Sequence, residues 1–172
     1  MPNWCTNRVR IYLDDMSEEE QKKFREEIDF PLSEDAEFSF QKILPCPEEL
    51  NKHSTSVVTQ EKYDEHIDKK AKGELSKFDT EFHPMTQEMA DEFIEKYGHK
   101  NWYDWRYANW GVKWDVDDKV YIEENHEDSI ELEFDTAWGP AEGIHNHLTK
   151  TYPNISISWF YDEPGMEFAG YL

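Results

Sequence analysis

Between Thr6 and Leu13 the side chains alternate. Asn7, Val9, Ile11 and Leu13 fall on one side and Thr6, Arg8, Arg10 and Tyr12 on the other. A period of two with one apolar side predicts a half-buried strand. The next stretch, "SEEEQKKFREEI", opens with Ser17 and Glu20 in capping-box spacing and sets Phe24 and Ile28 four apart, so a helix is expected from about Ser17 to Ile28. From Phe30 to about Lys100 the pattern is less regular. "FPLSEDAEFSFQKILPCPEEL" holds Pro45 and Pro47 and reads as a loop segment laid on the body. Two helical stretches follow: "EKYDEHIDKKAKGEL", and "TQEMADEFIEKYG" with Thr86 as N-cap and Gly98 as stop. Val116–Ile122 and Ser129–Asp135 then alternate around "EENHEDS" and predict a hairpin. "GPAEGIHNHLTKTYP" reads as a helix between Pro140 and Pro153, "NISISWFY" as a strand, and "DEPG" as a turn into a last strand, "MEFAGYL".

The order is βαββαβ with an extra C-terminal strand and a helical insertion after the first helix, at about residues 30–100 of a single domain spanning 1–172. This is an α+β chain of the ferredoxin-like, split βαβ class. Its first and third core strands are central neighbours, so Arg8 and Arg10 are expected to face Glu131, Glu133 and Asp135 on an open side of the sheet. Read as parallel neighbours, the two strands place Asn3, Trp4 and Asn7 at the opposite end from Thr136 and Trp138. That argues against one pocket made from both groups.

Composition narrows the partners. Lys and Arg number 18 against 39 Asp and Glu, a formal net charge of -21, which disfavours direct contact with nucleic acid or an anionic membrane. Cys5 and Cys46 are too few for a disulfide framework or a thiolate zinc site. The start "MPNWCTNRVR" lacks signal-peptide character and no apolar run approaches a membrane span, so a cytoplasmic location is expected. Aromatic residues make up 15%, and the core should be rich in them.

The densest aromatic stretch is "WRYANWGVKWD", Trp105 to Asp115. Trp110, Val112, Trp114 and Val116 alternate, so a core strand is expected there, preceded by a polar edge. Arg106 beside tryptophans needs a carboxylate, with Asp115 and Asp135 the local candidates. The alternative to a structural pair is a ligand clamp for an anion and a planar ring. Asp135, Thr136 and Trp138 lie just before a helix that starts at Pro140, where backbone amides favour an anion or simple capping. The candidate ligand or partner contacts are therefore Arg106, Asn109, Trp110, Asp115, Asp135, Thr136 and Trp138. No metal is expected, since His145 and His147 are two apart on a helix and His126 sits in an exposed acidic turn. No nucleophile motif or glycine-rich phosphate loop is present, so neither a cofactor nor enzymatic activity is expected.

Four stretches, "MPNWCTN", "ILPCPEEL", "WRYANWGVKWD" and "FDTAWGPAEGI", together with the tail "YPNISISWFYDEPGMEFAGYL", resemble the Api92-like proteins. These carry the YubB ferredoxin-like domain and are encoded largely by bacteriophages and conjugative plasmids. The resemblance implies that fold and a mobile-element origin, and no settled activity. Gly139 and Ala141 depart from the family's Thr-Ala-Trp-Ser-Pro-Pro, so no hydroxyl role is expected at Gly139.

Acid is dense at Asp14–Glu37 and at Asp115–Asp135, where Glu131, Glu133, Asp117, Asp118, Glu123 and Glu124 form a candidate partner surface. The expectation, resting in part on that resemblance, is a non-enzymatic acidic accessory protein of a phage or mobile element that binds a host protein with a basic surface in the cytoplasm of a bacterial host cell. It could inhibit a defence or nucleic-acid-processing system by imitating phosphate charge. The alternative is a small-ligand or nucleotide module built on the Trp, Asn and Arg edge.

Overall fold

The computed structural model describes residues 3–77, 83–116 and 120–172. In chain order the elements are β1 (Trp4–Tyr12), helices Glu18–Glu27, Phe40–Ile43 and Glu48–Asn51, β2 (His53–Val57), helix Gln60–Ala71, β3 (His83–Met85), helices Gln87–Tyr97 and Trp102–Trp110, β4 (Tyr121–Asn125), β5 (Ser129–Ala137), helix Glu142–Thr151, β6 (Ser156–Glu163) and β7 (Phe168–Tyr171). They fall into two compact units, one of Met1–Pro45 with Ala108–Leu172 and one of Cys46–Tyr107.

The first unit holds the mixed architecture expected from the pattern. Its five strands run in the order β4-β5-β1-β6-β7, with every neighbouring pair antiparallel. Without β7 this is the split βαβ arrangement, β1 and β5 central, and the fold is ferredoxin-like α+β. The alternation read in β1 holds: Cys5, Asn7, Val9 and Ile11 are buried while Thr6, Arg8 and Arg10 face away. Val9, Ile11, Phe24, Ile130, Leu132, Phe134, Ile144, Leu148 and Trp159 form the core on that side, each at most 1% exposed.

Local signals explain the helices. Ser17 and Glu20 close the expected capping box, the Ser17 amide donating to Glu20 Oε2 at 2.8 Å. Phe24 then meets Tyr152 edge-on at 4.8 Å. Residues 30–45, read from the sequence as the start of the insertion, lie in the sheet unit. Phe38 stacks on Phe134 at 5.3 Å, and Phe40 meets Phe134 at 5.8 Å and Trp110 at 5.9 Å. Such ring pairs supply the apolar area that a chain modest in Leu and Val lacks.

Three expectations are corrected here. The strand expected across Trp110–Val116 is instead the end of a helix, Trp102–Trp110, followed by irregular chain. Asn101 caps that helix by accepting from the Asp104 amide at 2.9 Å and donating to Asp104 Oδ2 at 3.1 Å. Gly111, at φ +85°, ends it in the left-handed conformation. The hairpin is present with Tyr121–Asn125 as its first strand; of the expected Val116–Ile122, Val116 stands outside the strand, its amide donating to Asp115 Oδ1 at 2.8 Å, and residues 117–119 lie outside the described residues. The third correction concerns direction. β1 and β5 are antiparallel, with Trp4 opposite Ala137, so the start of β1 and the end of β5 share one end of the sheet.

The second unit packs helices around a parallel pair, β2 with β3, joined through helix Gln60–Ala71. Thr86 and Gly98 cap helix Gln87–Tyr97 as expected, with Gly98 at φ +76°. Glu49 ties the unit together, accepting from Lys96 at 2.9 Å and from the Tyr97 hydroxyl at 2.6 Å.

Candidate functional site

The sheet's second face is built from direct cross-strand partners, which share a side. One row crosses all five strands: Tyr121 opposite Glu133, Glu133 opposite Arg8, Arg8 opposite Phe160, and Phe160 opposite Tyr171. At about 4.8 Å per strand it spans roughly 19 Å. Its end residues are open to solvent, Tyr121 at 64% and Tyr171 at 72% exposure. Arg8 Nε donates to Glu133 at 2.7 Å, and in the next row Arg10 Nε donates to Glu131 at 2.8 Å. These bonds raise the pKa of both guanidinium groups. Phe160 and Tyr171 lie 5.2 Å apart at the other edge.

Carboxylates outnumber cations on this face. Glu124, Glu131, Glu133, Asp135 and Asp162 share it with Arg8 and Arg10. Glu131 and Glu133, expected to face Arg8 and Arg10 as well as to contact a partner, are paired with those arginines, while Glu123 and Glu124 are exposed. Asp117 and Asp118 lie outside the described residues.

At one end of the same face is a small cavity of about 140 Å³, lined by Trp4, Trp114, Asp115, Asp135, Thr136 and Ala137. The antiparallel register of β1 and β5 creates it. The Trp4 and Trp114 ring centroids are 6.4 Å apart at 36°. Lys113 Nζ sits 3.8 Å from the Trp114 ring centre. Asp115 is held in place by four donors: the amides of Phe40, Gln41 and Val116, and the Ser39 hydroxyl at 2.7 Å. Asp135 accepts from the Thr6 hydroxyl at 2.8 Å, on the solvent side.

Three of the expected contacts, Asp115, Asp135 and Thr136, thus line one cavity. The others do not join them there. Trp110 is wholly buried and its indole N–H donates to the Leu44 carbonyl at 2.8 Å, so it is a core residue. Asn109 belongs to the close approach of backbone to Gly143, whose added Cβ would lie 2.2 Å from the Asn109 carbonyl oxygen. Arg106 belongs to the second unit, where its guanidinium lies over Trp102 at 5.0 Å and donates to Asn51 Oδ1 at 2.8 Å. Trp138 is 43% exposed, at φ +74°, and its amide donates to the Asn3 carbonyl at 2.9 Å. Thr136 donates to the Gly139 carbonyl at 2.7 Å, so its hydroxyl serves the turn before the last helix. Sequence reasoning placed Trp4 at the wrong end of the sheet and Trp114 in the core. It did not single out Tyr121, Phe160 or Tyr171, whose juxtaposition depends on strand register.

Among the described residues no group of three His, Cys, Asp or Glu is arranged to hold a metal ion. His66 and His83 approach at 3.5 Å in the second unit, but Lys70 Nζ is 3.0 Å from His83 and repels a cation there. Both cysteines are buried. Burial pushes the Cys5 thiol up to about 11 and raises Cys46 in the same direction, which makes both poor nucleophiles. No helix among the described residues is long and apolar enough to cross a membrane.

No curated protein matches the chain. Among solved structures, the crystal structure of a protein api92 from Yersinia pseudotuberculosis is similar, at 13% identity over 99% of this chain and 93% of that one, with a TM-score of 0.47. A family model described as the ferredoxin-like domain in Api92-like protein matches residues 109–172, the segment that runs from the end of helix Trp102–Trp110 through β4, β5, helix Glu142–Thr151, β6 and β7. Residues 109–172 are thus similar to the ferredoxin-like domain of Api92-like proteins, the same proteins that the sequence stretches resemble.

Proposed function

We propose that this chain is a non-enzymatic binding protein that docks a basic protein partner on the open face of its five-stranded sheet. One observation carries the reading: the row Tyr121, Glu133, Arg8, Phe160 and Tyr171, which sets an ordered ion pair between exposed aromatic rings. Tyrosines flanking a rigid charged centre resemble the composition of protein interfaces. The excess of carboxylates on the face, within a net charge of -21, favours a basic partner. Nucleic acid fits less well. Sheets that bind RNA stack bases on aromatics, whereas here the central strands carry Arg8, Arg10, Glu131, Glu133 and Asp135, whose carboxylates repel phosphate.

The finer reading is an accessory protein of a phage or mobile element that engages a host defence or nucleic-acid-processing protein and inhibits it. It is supported by the charge and by the family resemblance. Pairing of Glu131 and Glu133 with arginines shifts the emphasis from imitation of a phosphate row to shape and aromatic contact. The test is affinity capture from bacterial lysate at low and high salt, with the native chain and with a Tyr121→Ala/Tyr171→Ala variant in parallel. A basic protein retained by the native chain, lost at high salt and lost by the variant is the expected result. Capture unaffected by the variant, or a partner that is not basic, would overturn the reading.

A further inference from the structure

The cavity at the end of the open face has a chemistry of its own. Its walls are the two half-exposed indoles of Trp4 and Trp114, and its carboxylates are those of Asp115 and Asp135. Indole faces attract cations, most strongly where carboxylates add charge and water is partly displaced. The chain itself shows the tendency: Lys113 Nζ lies 3.8 Å from the ring centre of Trp114. An anion or nucleotide phosphate would meet two carboxylates, so the cavity selects against it.

We propose that this cavity is a receptor for one guanidinium group, the side chain of an arginine on the protein partner. The proposal rests on the docking reading above and names the anchor of that interface. Shape favours guanidinium over ammonium. The rings are 6.4 Å apart and inclined by 36° at a cavity of about 140 Å³, a small site that suits a flat, weakly hydrated group stacking on one indole. Acceptors are placed for it as well. Asp115 is fully engaged by its four donors and supplies fixed negative charge, whereas Asp135 has one oxygen on Thr6 and makes no ion pair among the described residues. Asp135 is thus the hydrogen-bond acceptor, and the Thr6 hydroxyl fixes its orientation. Arginine is also the residue most enriched among cationic anchors at protein interfaces.

The experiment is a titration of the full chain, labelled with 15N at the indole nitrogens, with N-acetyl-arginine methylamide. The lysine and citrulline analogues serve as comparisons. The Trp4 and Trp114 signals are expected to shift saturably with the arginine compound, with a Kd on the order of millimolar for one isolated side chain. Buried Trp110 and Trp159 stay fixed as internal controls. The neutral citrulline analogue should bind at least about tenfold more weakly, as should the arginine compound to Asp135→Asn. Equal shifts with citrulline, or stronger binding of the lysine compound, would overturn the guanidinium assignment without needing any variant to fold. The docking reading fails separately: arginine shifts Trp4 and Trp114, yet partner capture ignores Tyr121→Ala/Tyr171→Ala. Capture that depends on those tyrosines in a chain whose cavity ignores arginine overturns the cavity alone.

Discussion

Replacing Asn7 by Leu tests how the buried polar network holds the end of the sheet together. Asn7 is wholly buried on the core side of β1. Its amide nitrogen donates to the Cys5 carbonyl at 2.9 Å and to Thr136 Oγ1 at 2.8 Å, and its carbonyl oxygen accepts from the indole of Trp159 at 2.9 Å. Leu fills similar space but leaves the Trp159 N–H, itself wholly buried, without an acceptor. An orphaned buried donor costs roughly 1–3 kcal/mol, and losing the bond to Thr136 adds about 0.5–1.5 kcal/mol. Thr136 keeps its own bond to Gly139, so its loss lies at the low end. The added apolar side chain returns part of this. The expected net cost is about 2 kcal/mol, a fall in Tm of roughly 4–8 °C for a chain of this size. Urea unfolding followed by far-UV circular dichroism measures it, in a cycle with Trp159→Phe. The double variant removes donor and acceptor together, so its cost should fall short of the two single costs by at least about 1 kcal/mol. Costs that add to within about 0.3 kcal/mol would refute the network argument.

Both thiols should resist a disulfide exchange reagent at pH 8 while the chain is folded, since burial lifts Cys5 to about 11 and raises Cys46, and both should react at once in denaturant. Rapid labelling of the native chain would contradict their burial. In the second unit, burial holds the His83 pKa below its ordinary 6.5, helped by Lys70, His53, His66 and Lys52. The unfolded chain therefore takes up the proton first as pH falls. This stability is complete above pH 6.5 and is lost as pH drops below it, so melts at pH 8, 6 and 5 should show a smaller acid loss for His83→Asn than for the native chain. Gly143→Ala should cost about 1–3 kcal/mol or more, because its Cβ would lie 2.2 Å from the Asn109 carbonyl oxygen. Gly73→Ala, where no atom lies within 4 Å, meets only the strain of φ +70° and is the control.

What the chain pattern revealed depended on the range of the determining contact. The alternation in β1 names its own buried side, and the Arg8 and Arg10 pairs with Glu133 and Glu131 follow once two neighbours are identified. Ser17, Thr86 and Gly98 act within a single helical turn, so their roles could be read directly. "WRYANWGVKWD" misled because three or four alternating apolar positions imitate a strand. The stronger cues were Asn101 three before Asp104 and Gly111 at the end, the signature of a capped helix. Asp115 was beyond local reading altogether: its donors at Ser39, Phe40 and Gln41 lie more than 70 residues away. The Trp4 and Trp114 cavity required strand direction. In a split βαβ sheet the hairpin reverses β5 against its partner in the crossover and hence against β1, so topology alone could have placed Trp4 beside Ala137.

The open face separates two physical contributions that a binding experiment can resolve. Among the described residues Glu124, Asp135 and Asp162 make no ion pair on this face, and Asp135 and Asp162 lie toward one end, whereas Tyr121, Phe160 and Tyr171 supply apolar area toward its edges. Long-range charge acts before contact and chiefly sets how fast a basic partner arrives, while rings packed in the interface set how slowly it leaves. Asp162→Asn should therefore lower the association rate and flatten its salt dependence, with little change in dissociation. Tyr171→Ala should do the reverse, raising the dissociation rate by about tenfold or more if it contributes as an interface anchor. The Arg8–Glu133 pair predicts a third behaviour. Exposed pairs of this kind contribute about 0–1 kcal/mol to folding, so Glu133→Gln should leave stability nearly unchanged. It also releases Arg8 as an uncompensated cation in the middle of the face, which opposes a basic partner on arrival and in the complex. Surface plasmon resonance at two ionic strengths distinguishes the three. If all three variants changed only the association rate, the face would be an electrostatic guide and the contact surface would lie elsewhere.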